Sequence, residues 1–376
     1  MALKGHRNII KKYNDFERFI KKTIDLSHVI IQDINFLEKG IDWSEYEVDN
    51  TTFLGCKLDR KDTAIIINGG GYVYPKFKGI PYKTNRLELY TWQELTERSE
   101  IDSKTVDFKI YEHFKSNQYA VSVNEALAQR IHDFSIDEAL RQLITYREDG
   151  MTDKKCVGFM GGHGALRGDE FYVKTALSAQ LATQKSYFIV SGGGPGIMEA
   201  ANLGAYFAAY SEEDLLSAIT ILAEANHFTH ENFAQKALEV LEKFPNGSES
   251  LAIPTWFYGH EPTNLFATHI AKYFSNSIRE DTLLAISLYG VVFAPGSAGT
   301  TQEIFQEAAQ NHYGTYGFHS PMIFLSKKRY VEDTSIYSVL HQLAQGKPYK
   351  DLLFLTDDPH LVVDWLENHP PIRAAK

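Results

Sequence analysis

The sequence contains little cysteine and no long apolar run. Its two cysteines, Cys56 and Cys156, are too few for a disulfide framework or a zinc site. No apolar run approaches the roughly 18 residues that a membrane-spanning helix needs. The N-terminus mixes basic and acidic residues and lacks the apolar segment of a signal peptide. We therefore expect a cytoplasmic protein in a reducing environment, without a metal site.

Positive charge is also in the minority. The chain has 38 Lys and Arg against 48 Asp and Glu, so its formal net charge is −10. Because a negatively charged surface repels the phosphate backbone, this balance argues against nucleic acid as a partner. The 376 residues exceed what one hydrophobic core usually supports, which predicts two domains.

Glycine, by contrast, is concentrated directly after a predicted strand, where the backbone can contact a ligand. The apolar residues 187–190 predict a strand buried on both faces. Three glycines, Pro195 and Gly196 follow, and a helix is predicted over 197–209. Successive glycines after a strand can form a concave row of backbone N–H groups that suits a phosphate. The pattern is neither GxGxxG nor a P-loop, because no Lys-Ser or Lys-Thr pair follows.

A second strand–turn–helix unit lies further along the chain. Residues 291–294 read as a strand, and the small residues 296–299 allow a ligand to approach the backbone closely. Thr300 and Thr301 are predicted to cap the next helix, with Glu303 in its first turn. Free N–H groups then face the turn, as at an anion site. Each unit alone can be an ordinary structural turn, but two of them in one parallel sheet predict a shared ligand site.

These two units resemble the signatures of the LONELY GUY (LOG) family. Ser191-Gly-Gly-Gly-Pro-Gly-Ile-Met198 is similar to the family's Gly-Gly-Gly-x-x-Gly-x-Met loop, and Pro295-Gly-Ser-Ala-Gly-Thr-Thr-Gln-Glu303 to its Pro-Gly-Gly-x-Gly-Thr-x-x-Glu motif. The resemblance covers roughly residues 153–366. It implies a Rossmann-like fold, at least a homodimer, and hydrolysis of nucleoside 5′-monophosphates to free base and ribose 5-phosphate. The family's older label, lysine decarboxylase, has no chemical support in these motifs.

The resemblance also assigns roles to two side chains. Hydrolysis of an N-glycosidic bond passes through an oxocarbenium-like sugar, which a nearby carboxylate stabilises. Glu303 matches the family's glutamate and is expected to be that general base or stabiliser; a favourable charge at a helix start is the alternative. Arg279 corresponds to the family's arginine and would orient ribose or phosphate, with a surface salt bridge as the alternative. This scheme requires no cofactor.

The two glycine turns and the loop after the predicted strand 156–160 are expected to hold the nucleotide. In that loop His163 either contacts the nucleotide or lies in solvent. The residues assigned to nucleotide binding are Gly162, His163, Gly192, Gly193, Gly194, Gly196, Met198, Glu199, Gly296, Ser297, Ala298, Gly299, Thr300 and Thr301.

Two positions depart from the family pattern. Ser297 stands where the family has glycine, and Glu280 where it has lysine. A non-catalytic protein that binds or senses a nucleotide through the same loops is therefore the competing hypothesis. A pyridoxal-phosphate decarboxylase is a weaker one, because no lysine stands in a recognisable Schiff-base context.

Residues 1–150 lie outside the resemblance. They are predicted to form a separate accessory domain of mixed α+β structure, mainly helical after residue 103. Helices are expected over 105–115 and 123–132, and a capping box at Ser135-Ile-Asp-Glu138 predicts a further helix. The polar segment 148–155 marks the predicted domain boundary.

Residues 151–376 alternate strands and helices, which predicts an α/β domain with a doubly wound parallel sheet. A helix is expected over 264–276. A helical insertion at 210–245 contains His227-Phe-Thr-His230, which either covers the pocket or belongs to a face that packs on a neighbouring domain or subunit. Arg167 is expected in solvent, with a reach to phosphate as the alternative.

Overall fold

The computed structural model describes residues 8–98, 104–118, 120–147 and 149–375. The argument against a signal peptide rests partly on residues 1–7, which lie outside the described residues. Residue 103, where the helical region is predicted to begin, and residue 148, at the predicted domain boundary, also lie outside them. None of the helices within the described ranges is long and apolar enough to cross a membrane.

The chain divides into two compact units. The N-terminal unit comprises Leu3–Leu87 and Asn117–Ser135, and the sheet unit comprises Glu88–Ser116 and Ile136–Lys376, as far as these ranges are described. These two units do not coincide with residues 1–150 and 151–376, and the domain boundary near residue 150 stays a prediction.

The described residues form strands and helices along the whole of their length. In chain order, the strands and α-helices are β1 Ile9–Ile10, α1 Tyr13–Ile20, β2 Ile30–Gln32, β3 Thr52–Leu54, α2 Arg60–Asn68, β4 Tyr72–Tyr74, α3 Trp92–Thr96, α4 Val106–Asn117, α5 Val123–Ile144, β5 Lys155–Met160, α6 Glu170–Gln184, β6 Tyr187–Ser191, α7 Ile197–Tyr206, α8 Glu212–Ala223, α9 Phe233–Lys243, β7 Leu251–Ala252, β8 His269–Ile270, α10 Asn276–Ile286, β9 Val291–Phe293, α11 Ala298–Tyr313, β10 Phe318–His319, β11 Met322–Leu325, α12 Ile336–Leu343, β12 Leu353–Thr356, α13 Pro359–Asn368 and β13 Ile372–Arg373.

The N-terminal unit contains a small repeat that the sequence did not reveal. Its strands pair in chain order, β1-β2-β3-β4, and every pair is parallel. Ile9, Ile30, Thr52 and Tyr72 stand side by side, 20 to 22 residues apart. Each strand with the segment that leads to the next strand forms one coil of the chain. Each coil therefore contacts the next coil, as in solenoid proteins.

The core of this unit is aromatic. Phe36 lies edge-on to Phe16, with ring centres 5.0 Å apart, and to Trp43, with ring centres 5.1 Å apart. Trp43 in turn meets Phe53 edge-on at 5.3 Å. All four rings are buried. Edge-to-face pairs of this kind stabilise beyond the area that they bury.

The sheet unit confirms the predicted α/β fold with a doubly wound parallel sheet. Its strand order is β12-β11-β9-β5-β6-β7-β8, and all six pairings are parallel. The chain runs outward from β5 to β8 and then returns to β9 on the other side of β5. Strands β5 and β9 therefore flank the point where the winding reverses, which is where ligands bind in such sheets.

Helices cover both faces of this sheet. On one face, strand residues such as Val157, Ile189 and Val292 form a buried core with α6, α7 and α13. On the other, Gly158 faces the end of α10, where a β-carbon would come within 2.6 Å of Ser287 Oγ. Strands buried on both faces read as continuous apolar runs, which is why β5, β6 and β9 were predicted from the sequence.

The helical insertion packs on its own unit. Leu215 of α8 and Val240 of α9 belong to the buried cluster that contains Tyr172 of α6 and Leu203 of α7. The apolar faces of these helices therefore pack on α6 and α7 of the same unit and form a further layer outside them, and packing of the insertion on a neighbouring subunit stays a prediction.

Two helix predictions are wrong. Val123–Ile144 is one continuous helix, so Ser135 is an interior residue and not an N-cap; its hydroxyl donates to the carbonyl of His132 at 2.8 Å, one turn earlier. Residues 264–276 are not a helix. Their central residues His269 and Ile270 form β8 at the edge of the sheet, and the apolar side chains around them are buried in non-helical backbone.

Candidate functional site

Three loops meet at the point where the winding of the sheet reverses. The N–H of Gly162, just after β5, donates to the carbonyl of Pro295, just after β9, at 3.0 Å. The carbonyl of Gly162 accepts from the N–H of Ile197, at the start of α7, at 3.2 Å. Gly196 has a left-handed φ of 69° and lies against the same backbone, where a β-carbon would come within 2.5 Å of the Gly162 oxygen. Backbone contacts thus hold the predicted loops together.

A cavity of about 680 Å³ opens beside these loops. This volume lies within the roughly 300–1,000 Å³ of small-ligand pockets. The cavity is lined by Gly162, His163, Gly164, Ala165, Asp169, Glu170, Phe171, Ile197, Pro295, Gly296, Ser297 and Arg329. Four of the residues assigned to nucleotide binding, namely Gly162, His163, Gly296 and Ser297, therefore border one cavity.

Helix α11 begins earlier than the sequence predicts. Ser297 is its N-cap, and Ala298 is its first residue. Thr300 and Thr301 lie inside the helix, so their prediction as caps is wrong; the hydroxyl of Thr301 donates to the carbonyl of Ser297 at 2.9 Å. The free N–H groups of the first turn belong to residues from Ala298 onward and lie next to the cavity.

This start changes the position of Glu303 within α11. Glu303 lies in the second turn of the helix, not in the predicted first turn. The stabilisation of a carboxylate by the helix dipole falls off within the first turn. A favourable charge at a helix start therefore does not account for Glu303.

The glycine turn at 192–194 is filled by protein side chains. A β-carbon at Gly192 would come within 2.6 Å of Arg279 Nη2, so only glycine leaves room for that guanidinium. Gly193 lies against Pro254, and Gly194 lies against the carboxylate of Glu261. Met198 packs against both Gly192 and Gly194. Neither this turn nor Arg279, which packs against it, is part of the cavity lining.

Arg279 and Glu303 come together on neighbouring helices. Arg279, on α10, donates from Nε to the carbonyl of Ile253 at 2.9 Å, which fixes its guanidinium. Its Nη1 lies 3.6 Å from Glu303 Oε1 on α11 and 3.8 Å from Glu280 Oε1. All three charged residues are buried. Arg279 is thus not part of a surface salt bridge.

Glu280 is itself held by two amides. Its Oε1 accepts from Asn276 Nδ2 at 2.8 Å, and its Oε2 accepts from Gln302 Nε2 at 2.7 Å. Asn276 also donates to the hydroxyl of Tyr258 at 3.0 Å. A negative charge is therefore built into the position where the family pattern has lysine.

The surroundings of Glu303 stabilise the protonated carboxyl relative to the carboxylate, in comparison with the same group in water. Burial raises the pKa of the Glu303 carboxyl to about 7; the positive charge of Arg279 opposes this shift and the negative charge of Glu280 adds to it. One turn further along α11, burial raises the pKa of Glu307 to about 8. A carboxyl that titrates near neutral pH can take up or release a proton under ordinary conditions.

His163 connects the cavity to the helical insertion. Its Nδ1 lies 3.7 Å from Glu261 Oε1, and its ring meets the ring of Phe228 edge-on, with centres 5.9 Å apart. Phe228 belongs to the segment 227–230 between α8 and α9. That segment therefore reaches the cavity loop even though the helices on either side pack elsewhere.

Glu199 and Arg167 lie away from the cavity, in the protein interior. Arg167 is 3% exposed, so the expectation that it lies in solvent is wrong. Its Nε donates to Glu199 Oε2 at 2.8 Å, and the hydroxyl of Tyr172 donates to the same oxygen at 2.9 Å. The guanidinium also stacks on the ring of Phe233. Each polar group of this buried ion pair thus has a protein partner.

Arg329 is one of the cavity-lining residues that the sequence analysis did not assign. It follows β11, the strand next to β9, and therefore reaches the same edge of the sheet. The general rule that ligands bind at the carboxyl ends of parallel strands would have identified its position. The motifs alone do not include it.

Comparison with known proteins finds solved structures that match part of this chain at low identity and low TM-score. No protein-family model matches the sequence, and no curated protein sequence matches it. A molybdenum cofactor carrier protein from Chlamydomonas reinhardtii is 15% identical, with the match covering 57% of this chain and 97% of that chain at a TM-score of 0.35. A molybdenum cofactor binding protein from Rippkaea orientalis is 13% identical, over 57% and 96% of the two chains, at a TM-score of 0.36. Scores this low carry no argument about ligand or activity.

Proposed function

We propose that this chain hydrolyses the N-glycosidic bond of nucleoside 5′-monophosphates, giving the free base and ribose 5-phosphate. The observation that carries this proposal is the buried Glu303–Arg279 pair, placed where the loops after β5, β6 and β9 converge. The loops after β5 and β9 also line a cavity of small-ligand size, although Arg279 and Glu303 are not among its lining residues. The resemblance to the LOG signatures supports the same reaction.

In the proposed reaction the bond between C1′ and the base nitrogen breaks, and its electron pair leaves with the base. Water forms the new bond to C1′ and gives a proton to the Glu303 carboxylate. The leaving nitrogen takes up a proton from solvent. A carboxylate next to C1′ also stabilises the positive charge that develops on the sugar.

Arg279 would orient the nucleotide and adjust the basicity of Glu303. Its guanidinium is fixed by the Ile253 carbonyl, so little conformational freedom is lost when it donates to a ligand. Backbone N–H groups of the turn at 296–299 and of the first turn of α11 would receive the 5′-phosphate.

The competing proposal is a nucleotide-binding protein without catalysis. One observation favours it: Glu280 lies 3.8 Å from the guanidinium of Arg279 and competes with Glu303 and with any ligand for that charge. In this case the cavity would still bind a nucleotide, but the bond would stay intact.

A panel of nucleoside monophosphates separates the two. The purified protein is incubated with AMP, GMP, CMP and UMP, free base is measured by chromatography, and binding is measured by calorimetry on the same preparations. Release of base with an equal amount of ribose 5-phosphate supports hydrolysis. Binding without release of base from any nucleotide supports the sensing protein.

A further inference from the structure

Arg329 lies in a backbone segment that is fixed on both sides. It belongs to the π-helical turn Lys328–Asp333 that follows β11, and such turns are frequent at functional sites. The N–H of Arg329 donates to Ser326 Oγ at 3.1 Å, and its carbonyl accepts from Thr334 Oγ1 at 2.7 Å. The side chain therefore projects from a preorganised backbone.

The same segment is tied to the turn that borders the cavity. The hydroxyl of Tyr330 donates to the carbonyl of Ala294 at 2.7 Å, and Ala294 immediately precedes the turn 295–299. Arg329 and the turn residues Gly296 and Ser297 line one cavity. The arginine and the turn are thus held in a fixed relation to each other.

The other titratable residues that line the cavity already have partners. These are Glu170 with Lys174 at 2.7 Å, Asp169 with the N–H of Leu166 at 2.9 Å, and His163 with Glu261 at 3.7 Å. Arg329, by contrast, has no ion pair and no side-chain hydrogen bond within the described residues. It is also partly shielded from solvent. An anion that enters the cavity therefore meets one available guanidinium and two carboxylates among the lining residues.

We infer that Arg329 binds the phosphate of a phosphomonoester ligand in this cavity and so makes the site selective for 5′-monophosphates over nucleosides. This inference rests on the proposed function and narrows its substrate class. A guanidinium presents its N–H groups as a planar fork that matches two phosphate oxygens, which a lysine ammonium does not. Asp169 and Glu170 line the same cavity and repel an anion, which favours its binding at Arg329.

The test compares Arg329→Ala and Arg329→Lys with wild type and with Lys327→Ala. Lys327 is an exposed cation two residues away that does not line the cavity. Binding of AMP, ribose 5-phosphate, inorganic phosphate and adenosine is measured by calorimetry on each folded protein, and thermal melting checks the fold. We expect Arg329→Ala to weaken AMP and ribose 5-phosphate by about 10- to 100-fold and adenosine by less than about twofold. Arg329→Lys should lie between, and Lys327→Ala should match wild type.

Unchanged AMP binding by Arg329→Ala would overturn the inference, and so would an equal loss for AMP and adenosine. If Arg329→Ala does not fold, Arg329→Lys decides, because wild-type affinity in that variant contradicts recognition by the planar fork. Wild-type protein that binds neither AMP nor ribose 5-phosphate also overturns it. The outcome is separate from that of the proposed function. AMP binding that depends on Arg329 but is not followed by hydrolysis supports the inference and contradicts the proposed enzyme activity. AMP hydrolysis that Arg329→Ala leaves unchanged supports the enzyme activity and contradicts the inference.

Discussion

Arg279 Nη1 and Glu303 Oε1 lie 3.6 Å apart, close enough to form an ion pair but too far for a hydrogen bond. No hydrogen bond to the Glu303 carboxylate occurs within the described residues. The carboxylate is therefore stabilised by a neighbouring charge while its oxygens remain able to accept a proton or a hydrogen bond from a ligand or water. This combination is what a general base requires.

The first prediction concerns pH. Glu303 must be ionised to accept a proton from water, and its pKa is raised to about 7. We expect kcat/KM for AMP to rise about tenfold per pH unit below pH 7 and to level off above it. Arg279 opposes the raised pKa, so Arg279→Met should move the midpoint to higher pH. Glu280 adds to it, so Glu280→Gln should move the midpoint lower. If neither substitution moves the midpoint of the pH dependence of kcat/KM, whatever the residual activity, then Glu303 is not the titrating group.

The second prediction concerns the 5′-phosphate. Hydrogen bonds to a charged group contribute roughly 1.5–3 kcal/mol each. Loss of two or three of them should cost about 3–6 kcal/mol in transition-state binding, or about 10²–10⁴ in kcat/KM. Adenosine should therefore be a far poorer substrate than AMP, and ribose 5-phosphate should compete with AMP. Equal kcat/KM values for the two substrates would show that the turn at 296–299 does not bind phosphate.

The third prediction concerns the stability cost of Glu307. Burial raises its pKa to about 8, well above the value near 4.3 of an unfolded glutamate. The folded state therefore binds the proton more tightly, and the stability from this group is complete below pH 4 and is lost as pH rises through 8. Glu307→Gln should raise the melting temperature at pH 8.5 by at least about 2–4 °C and change it little at pH 4.5.

Glu242 on α9 provides the matched control for this substitution. It is an exposed helical glutamate, so Glu242→Gln should leave the melting temperature unchanged at both pH values. Equal effects of Glu307→Gln at pH 4.5 and 8.5 would contradict a raised pKa and point to a change in packing.

The fourth prediction concerns the buried ion pair of Arg167 and Glu199. Arg167→Met leaves the Glu199 carboxylate buried without its partner, which should cost about 3–5 kcal/mol in the free energy of unfolding. A second substitution, Glu199→Gln, should recover part of this loss. The exposed pair Lys185–Glu367 is the control, because Lys185→Met should cost less than about 1 kcal/mol. Denaturation with urea measures all of these, and equal costs for Arg167→Met and Lys185→Met would contradict the account.

The sheet could be predicted from the sequence because its strands are buried on both faces. Runs such as 187–190 and 291–294 are continuously apolar, and that pattern can be recognised without knowing which strands pair. The carboxyl ends of the strands then followed from the parallel topology. The meeting of the two strand–turn–helix units was predicted on this basis, whereas Arg279 and Glu303 were assigned from the resemblance to the LOG signatures.

The features that were missed depend on partners distant in sequence. Arg167 looks like a solvated residue until Glu199 is placed beside it. Phe266, Ile270 and Phe274 recur at the helical spacing i, i+4 and i+8, although they are buried in non-helical backbone at the edge of the sheet. The four coils of the N-terminal unit have strands of only two or three residues, too short to show alternation. The local sequence pattern does not identify contacts between residues that are distant in sequence.

The most direct measurement of the central claim compares wild type with Glu303→Gln on AMP. Both proteins are examined for AMP binding by calorimetry and for adenine and ribose 5-phosphate formation by chromatography at pH 8, where wild-type Glu303 is ionised. We expect wild type to release the two products in equal amounts, and Glu303→Gln to bind AMP with similar affinity but turn over at least about 100-fold more slowly. Wild-type protein that binds AMP without releasing adenine, or a fully active Glu303→Gln variant, would contradict the account.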